Sequence, residues 1–242
     1  MAVTNPGLNN EWPCSFFTAP SYDKTISGRL FVVGDLHGCY TLLMKRLKDI
    51  EFDFQHDLLI SVGDLIDRGN ENLECLSLLD ESWFKAIRGN HEQMCIEANI
   101  DVEMKDIHSY HGGAWLYELP IYQQQTVVEK CCNLPIILEL HHNHKIYGFI
   151  HADIHINDWH EFKQEVLKKN YFIGGEQSAM QIALWHRGRI RSNKCNPNYK
   201  MVTGVDEIYF GHTVVKEPIQ RQNCFFIDTG AVFGGILTIL EI

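Results

Sequence analysis

Short apolar runs alternate along the chain with polar clusters rich in Gly, Asp, Asn and His, and this unit recurs six times from Leu30 onward. The runs open at Leu30 (LFVVGDLHG), Leu58 (LLISVGDLIDRG), Phe84 (FKAIRGNHE), Lys145 (KIYGFIHAD), Glu207 (EIYFGH) and Cys224 (CFFIDTGA). Each has strand character and ends in small and polar residues that read as a loop at the strand end. The strands are therefore expected to deliver polar side chains to a rim. Between the first two runs, Leu43, Leu47 and Ile50 recur at helical spacing, with Lys45, Arg46 and Lys48 on the other faces. Helical patterns also fall near residues 71–80, 91–99 and 160–169, and strand patterns dominate the last forty residues. This mixture predicts an α/β fold whose sheets are covered by helices. No Pro- or Ser-rich linker divides it, so residues 28–242 are expected to form a single domain. Residues 1–27 show no sustained period and are expected to be an N-terminal extension, with Trp12, Phe16 and Phe17 available to dock on the body.

With 45% of its 242 residues apolar and 21% charged, the chain has the means to bury a core and none of the signature of disorder. Its eight cysteines are scattered without a CxxC pair or zinc-finger spacing, so free thiols are expected. No signal-peptide pattern opens the chain, and no apolar run approaches the roughly 20 residues of a membrane span. A soluble, cytoplasmic protein with no membrane partner is the expectation. The formal charge of −10, from 21 basic and 31 acidic residues, argues against a nucleic-acid partner. Carboxylates that hold divalent cations add to this negative count, although the loaded site is net positive and attracts phosphate. Oligomeric state leaves no signature in the sequence.

The polar clusters carry the chemistry. In Gly34-Asp35-Leu36-His37-Gly38, Asp35 and His37 alternate on what reads as an extended segment, where one cation would reach both; the plainer reading makes Asp35 a turn residue before the helix. The loop Gly63-Asp64-Leu65-Ile66-Asp67-Arg68-Gly69 places two carboxylates and a guanidinium within five residues directly after a buried-looking strand, an expensive arrangement unless it is a solvated turn. In Arg88-Gly89-Asn90-His91-Glu92, Asn90 either caps the next helix or offers its amide oxygen to a metal, leaving His91 for proton transfer. A HExxH protease motif is excluded, because position 95 is Cys95. His151 and His212 each end an apolar strand, and singly each reads as a core or rim histidine. Together, Asp35, His37, Asp64, Asn90, His151 and His212 make a mixed N/O set suited to two divalent ions. Elsewhere, His141-His142-Asn143-His144 reads as a polar hairpin turn and Cys131-Cys132 as packing residues. His111-Gly112-Gly113-Ala114-Trp115 reads as a turn or a substrate wall, and Asp228-Thr229-Gly230-Ala231 as support for the site.

In their order along the chain, GDLHG, GDLIDRG, RGNHE, HAD and GHT resemble the motifs of PPP-family metallophosphoesterases, especially the phage lambda type and its bacterial relatives, from about Leu30 to Ile242. The resemblance implies a central β-sandwich flanked by helices, with the metal site at the strand-end loops. It implies that Asp35 and His37 hold a first metal, that Asp64 bridges, and that Asn90, His151 and His212 hold a second. Mn²⁺ is the expected metal, and Fe, Zn and Co also suit these ligands. Arg68 and Arg187 would clamp the phosphate, while His91, supported by Asp67, would protonate the leaving group. A hydroxide bridging the two metals would attack directly, with no phosphoenzyme. His186 departs from the pattern, since relatives more often carry Asn there. The implied activity is a metal-dependent phosphoprotein phosphatase acting on phosphoserine or phosphothreonine, with phosphotyrosine open and a phosphoprotein or phosphopeptide as partner. A diadenosine-tetraphosphate hydrolase is the alternative, disfavoured because such enzymes usually lack the Asp-Arg-Gly of Asp67 to Gly69. A non-catalytic metal-binding adaptor is less favoured still, because every proposed ligand and both arginines are present.

Overall fold

Two β-sheets face each other in the computed structural model, which describes residues 21–22, 27–168, 178–193 and 196–242. One sheet sets β2 (Leu30–Val33), β3 (Leu58–Ser61) and β4 (Phe84–Ala86) parallel, with β10 (Ile239–Glu241) antiparallel beside β2. The other runs in the order β1 (Ser21–Tyr22), β5 (Ile137–His142), β6 (Lys145–Ile150), β7 (Glu207–Phe210), β9 (Cys224–Phe226) and β8 (Ile219–Arg221). Its central trio β6, β7 and β9 is parallel.

The period of two in each strand explains the sandwich. Leu30 and Val32, with Ile60 and Val62, meet Leu138, Leu140, Tyr147, Phe149 and Tyr209 in one apolar layer between the sheets. Phe31, Val33 and Leu59 point the other way, into the layer that holds Leu43 and Leu47 of α1 (Tyr40–Asp49). A strand buried on both faces must be apolar at every position, as LFVV is. Behind the larger sheet, Ile208, Phe210 and Phe226 share a core with Trp159, Phe162 and Val166 of α7 (Trp159–Leu167). Burying each such side chain stabilises the fold by about 1.5–3 kcal/mol. The fold is thus α/β, a two-sheet sandwich flanked by helices.

The patterned segments took these forms. Residues 71–80 hold α2 (Asn72–Ser77) and a 3₁₀ turn at Leu78–Asp80, and residues 91–99 fall in α3 (Asn90–Ala98). Five helices had no counterpart in the apolar pattern: α4 (Val102–His108), α5 (Ala114–Tyr117), α6 (Ile121–Asn133), α8 (Ala179–Trp185) and α9 (Gly188–Arg191). A π turn at Ser109–Gly113 links α4 to α5. Within the segment read as an extension, Ser21–Tyr22 pairs with Glu139 and Leu140 at the edge of β5, while Trp12, Phe16 and Phe17 lie outside the described residues. The His141–His144 run is the β5–β6 hairpin, turning through Asn143 and His144 at φ 49° and 62°, as a two-residue loop requires.

Among the described residues the free-thiol expectation fails at one position. Cys39, Cys75, Cys95, Cys131 and Cys224 are free, but Cys132 is disulfide-bonded. Successive helical residues point about 100° apart, so adjacent cysteines on α6 need not share surroundings. Among the described residues no helix is long and apolar enough to cross a membrane.

Candidate metal centre and phosphate site

The loops after β2, β3, β4, β6 and β7 carry the six candidate ligands, and backbone bonds draw them together. Leu36 and His37 donate their N–H groups to the Asp64 carbonyl at 3.1 and 2.8 Å, joining the first two loops. Asp35 and His37 were expected on an extended segment. Instead His37 sits at φ 43°, so the two side chains converge through a left-handed turn rather than through strand alternation. Asp64, Asp67, Arg68 and His212 are also left-handed, at φ 50°, 74°, 69° and 65°. Such positions in non-glycine residues cost of order 1–3 kcal/mol each and cluster at functional sites. Two glycines make room for the carboxylates: a Cβ at Gly89 would lie 2.1 Å from Asp64 Oδ1, and one at Gly211 2.0 Å from Asp35 Oδ1.

Glu92 fastens the central loop to the start of α3. Its carboxylate accepts the N–H groups of Gly89 (2.7 Å), Asp64 (3.0 Å), Leu65 (2.7 Å) and Ile66 (3.3 Å). Burial and the neighbouring Asp64 charge push Glu92 up to about 7, against the Gly89 N–H and the nearby His151 and His91. This residue had been given no role; its one sequence signal was the capping-box position, three residues after Gly89.

Each candidate histidine ligand is oriented by a backbone carbonyl. His37 Nδ1 lies 2.9 Å from the Ile66 oxygen, His151 Nδ1 2.8 Å from that of Val62, and His212 Nε2 3.0 Å from that of Trp185. A carbonyl only accepts, so these nitrogens carry the hydrogens and the opposite nitrogens turn lone pairs inward. His37 Nε2 is then 3.4 Å from Asp64 Oδ2 and 4.0 Å from Asp35 Oδ2. On the other side, His151 Nε2 is 3.3 Å from the same Asp64 oxygen, and Asn90 Oδ1 lies 2.9 Å from His151 Nε2 and 2.8 Å from His212 Nδ1. Acceptors facing acceptors at these spacings match the edges of a coordination shell with bonds of about 2.1 Å. Asp64 Oδ2 belongs to both groups, and the donor set fits divalent cations.

The protonation equilibria point the same way for two of the three imidazoles. Burial drives His37 down to about 3 and holds His212 well below its usual value, so both are neutral near pH 7. Burial also opposes a proton on His151, but the Asp64 carboxylate outweighs it and raises that imidazole. Asp64 is held well below the usual carboxylate range despite its burial, by His151 and His91, whereas burial together with Asp228 and Asp64 pushes Asp35 well above it. Buried carboxylates in mutual conflict are relieved by cations between them.

The four candidate catalytic residues surround this cluster. Arg68 is exposed, its guanidinium against His37 Nε2 and 5.4 Å from the centre of the Phe233 ring. Arg187 Nη1 donates to the His212 carbonyl at 2.7 Å and to Thr213 Oγ1 at 2.8 Å, so one arginine stands beside each group of acceptors. His186, the departure from the motif, places Nδ1 2.8 Å from Asp153 Oδ2, and that oxygen also accepts the Arg189 N–H at 3.0 Å, bracing the turn that carries Arg187. His91 Nδ1 is 2.7 Å from Asp67 Oδ2 with both side chains fully buried, and His91 Nε2 has no hydrogen-bond partner among the described residues. Its ring meets that of His37 edge-on at 4.7 Å. Asp67 takes two further donors that the motifs did not reveal, His108 Nε2 at 3.0 Å and Trp115 Nε1 at 2.8 Å. Burial pushes Asp67 up, but the His108 and His91 hydrogen bonds prevail and hold it at about 2. Asp228 lies behind the cluster and accepts the Gly230 N–H at 2.9 Å.

A two-sheet sandwich whose strand-end loops gather carboxylates, an amide and imidazoles between two arginines has the architecture of a metallophosphoesterase. Residues 28–216 match the family described as calcineurin-like phosphoesterase, and the chain belongs to that family. It is a phosphatase of the metallophosphoesterase superfamily, whose members use divalent metals. Serine/threonine-protein phosphatase 1 of Salmonella typhimurium is 39% identical over 216 residues, 88% of this chain and 91% of that protein. The symmetrical bis(5'-nucleosyl)-tetraphosphatase of Pasteurella multocida is more distant, at 25% identity over 87% of this chain and 92% of that protein. Among solved structures, the cold-active protein-tyrosine phosphatase of a psychrophilic Shewanella matches with a TM-score of 0.62 at 16% identity, over 93% of this chain and 78% of that one, a likeness of fold.

Proposed function

We propose that the chain, with residues 28–242 as its catalytic domain, hydrolyses phosphoserine and phosphothreonine monoesters in phosphoproteins or phosphopeptides. In this reading Asp35, His37 and Asp64 hold one divalent ion and Asp64, Asn90, His151 and His212 a second, with Mn²⁺ the expected metal. The observation that carries it is the Asp64 carboxylate, which has inward-facing lone pairs on both sides and an arginine beyond each. Divalent ions bound there supply a lowered water pKa and positive charge for the phosphoryl oxygens. The protein's own groups do the rest. Arg68 and Arg187 orient the phosphate, and their forked donors fix the line of attack. Asp67 holds His91 through Nδ1, and the unpartnered Nε2 carries a proton to the departing oxygen. A serine or threonine alkoxide is a poor leaving group and needs that proton. The preference for a phosphoprotein over a dinucleotide is supported by the greater identity to the serine/threonine phosphatase and by Asp67-Arg68-Gly69.

The test uses metal-stripped protein, with p-nitrophenyl phosphate, a phosphoserine peptide and diadenosine tetraphosphate as substrates. Activity should depend on added Mn²⁺; Asp64→Asn should lower kcat by about 10²-fold or more on every substrate, and His91→Asn should do so on the phosphoserine peptide, whose alkoxide needs the proton. Full activity in chelator rejects the metal centre, and preferred cleavage of the dinucleotide rejects the substrate class.

A further inference from the structure

Asp67 is shared by two buried imidazoles, and the proposed reaction uses only one of them. His108, at the end of α4, is fully buried with Nε2 3.0 Å from Asp67 Oδ2. Its Nδ1 lies 2.8 Å from the Tyr117 hydroxyl on α5. Room for the ring is built into the turn between the two helices: a Cβ at Gly113 would fall 2.2 Å from His108 Nε2. Trp115 Nε1 holds the other Asp67 oxygen at 2.8 Å, and the Asp67 N–H donates to Asn72 Oδ1 at 2.8 Å. A carboxylate held at both oxygens cannot swing about its own axis.

Resting on the function proposed above, we propose that His108 is a positioning residue for the Asp67–His91 pair, and that Tyr117 fixes its tautomer so that His91 is the imidazole left to move a proton. A neutral imidazole has one donor and one acceptor nitrogen. An ionised Asp67 only accepts, so His108 Nε2 carries the hydrogen and Nδ1 accepts from the Tyr117 hydroxyl. Burial pushes that phenol up, which keeps its hydrogen in place. Both His108 nitrogens are then engaged, whereas His91 keeps a free Nε2. Packing alone gives no reason to bury a second imidazole against a carboxylate, since polar groups are costly to bury unless their geometry is met in full. Its effect is orientation: a displacement of about 1 Å in a reacting group costs on the order of 10²-fold in rate.

The test compares phenyl phosphate, which leaves as a strongly basic phenolate, with p-nitrophenyl phosphate, whose leaving group barely needs a proton, on the Mn²⁺-loaded enzyme. In His108→Leu the ratio of kcat on the first to kcat on the second should fall about tenfold, because general-acid assistance is typically worth 10²–10⁴-fold and only part of it is lost. His108→Gln, which keeps a donor toward Asp67, should recover most of that ratio. Tyr117→Phe should lower the ratio in the same sense by about threefold, and it decides the matter if His108→Leu does not fold. An unchanged ratio in the folded variants, whether kcat holds or falls equally on both substrates, overturns the proposal. His91→Asn is the control that separates the two readings. If it leaves the ratio unchanged, the acid role of His91 has failed; if it lowers the ratio while the His108 and Tyr117 variants do not, only the positioning role has failed.

Discussion

Asp153 and His186 show how one hydrogen bond between side chains sets the position of a third. The Asp153 carboxylate is fully buried in the loop after β6, and His186 is 44% exposed one residue before Arg187. Their hydrogen bond raises the His186 imidazole above its usual value. A raised histidine contributes stability that is fully present below its unfolded pKa of about 6.5 and is lost as pH climbs through the folded value. His186→Leu should therefore destabilise the protein at pH 6 by about 0.5–1 kcal/mol, a figure reduced for solvent screening, and by much less at pH 9. Urea unfolding at the two pH values checks this; an equal loss at both would assign His186 to packing rather than to charge. His186 stood out in the sequence only as a departure from the expected Asn, because its partner lies 33 residues away and no local pattern announces the pair.

At the scale of elements, the loop from Gly63 to Gly69 is held by α3 as much as by β3. Glu92 accepts two backbone N–H groups on each oxygen, and glutamine has a single acceptor to offer. Glu92→Gln should therefore destabilise the fold by about 2–3 kcal/mol, the cost of leaving buried donors unmet, and should lower kcat because Asp64, Asp67 and Arg68 ride on the loosened loop. Denaturant unfolding gives the first number, and a loss below about 0.5 kcal/mol would mean that the loop stands without Glu92. Six of the strands were legible because their buried positions are apolar apart from Ser61, with the other polar residues confined to strand starts and to Lys85 of β4, and the motifs at their ends read directly as candidate ligands. The helices α4 and α6 were not. The one buried residue of α4 is His108, so no apolar stripe marks it, and α6 buries Val127, Cys131 and Cys132 while exposing Ile121 and Tyr122 at its start. The partners of Asp67 stayed hidden for the same reason, since His108 comes from α4 and Trp115 from the four-residue α5. The left-handed turns at His37, Asp64 and His212 were equally invisible, because their conformation is imposed by tertiary contacts on residues with no glycine-like freedom.

For the whole molecule, the candidate centre lies where the two sheets meet. Asp35, His37, Asp64 and Asn90 follow strands of the four-stranded sheet, and His151, His212 and Asp228 follow strands of the six-stranded one. Ions held there would fasten one sheet to the other, and without them the buried carboxylates oppose each other across the join. Burial, Asp228 and Asp64 raise Asp35 well above the usual carboxylate range. A carboxyl raised on folding binds its proton more tightly in the native state, so at neutral pH its charge destabilises the metal-free fold. Metal and stability should then be linked with a definite sign. Added Mn²⁺ should raise the unfolding temperature of the wild-type protein, by the equivalent of about 2.7 kcal/mol when free metal reaches about 100 times Kd. Asp35→Asn should reverse the order: its chelator-treated form should unfold at a higher temperature than chelator-treated wild type, while its gain on adding Mn²⁺ should be smaller. Calorimetry of both proteins with and without metal makes the comparison. Equal metal-induced shifts in the two would remove Asp35 from the centre, and a chelated variant no more stable than chelated wild type would show that water, rather than a cation, already neutralises the conflict between the sheets.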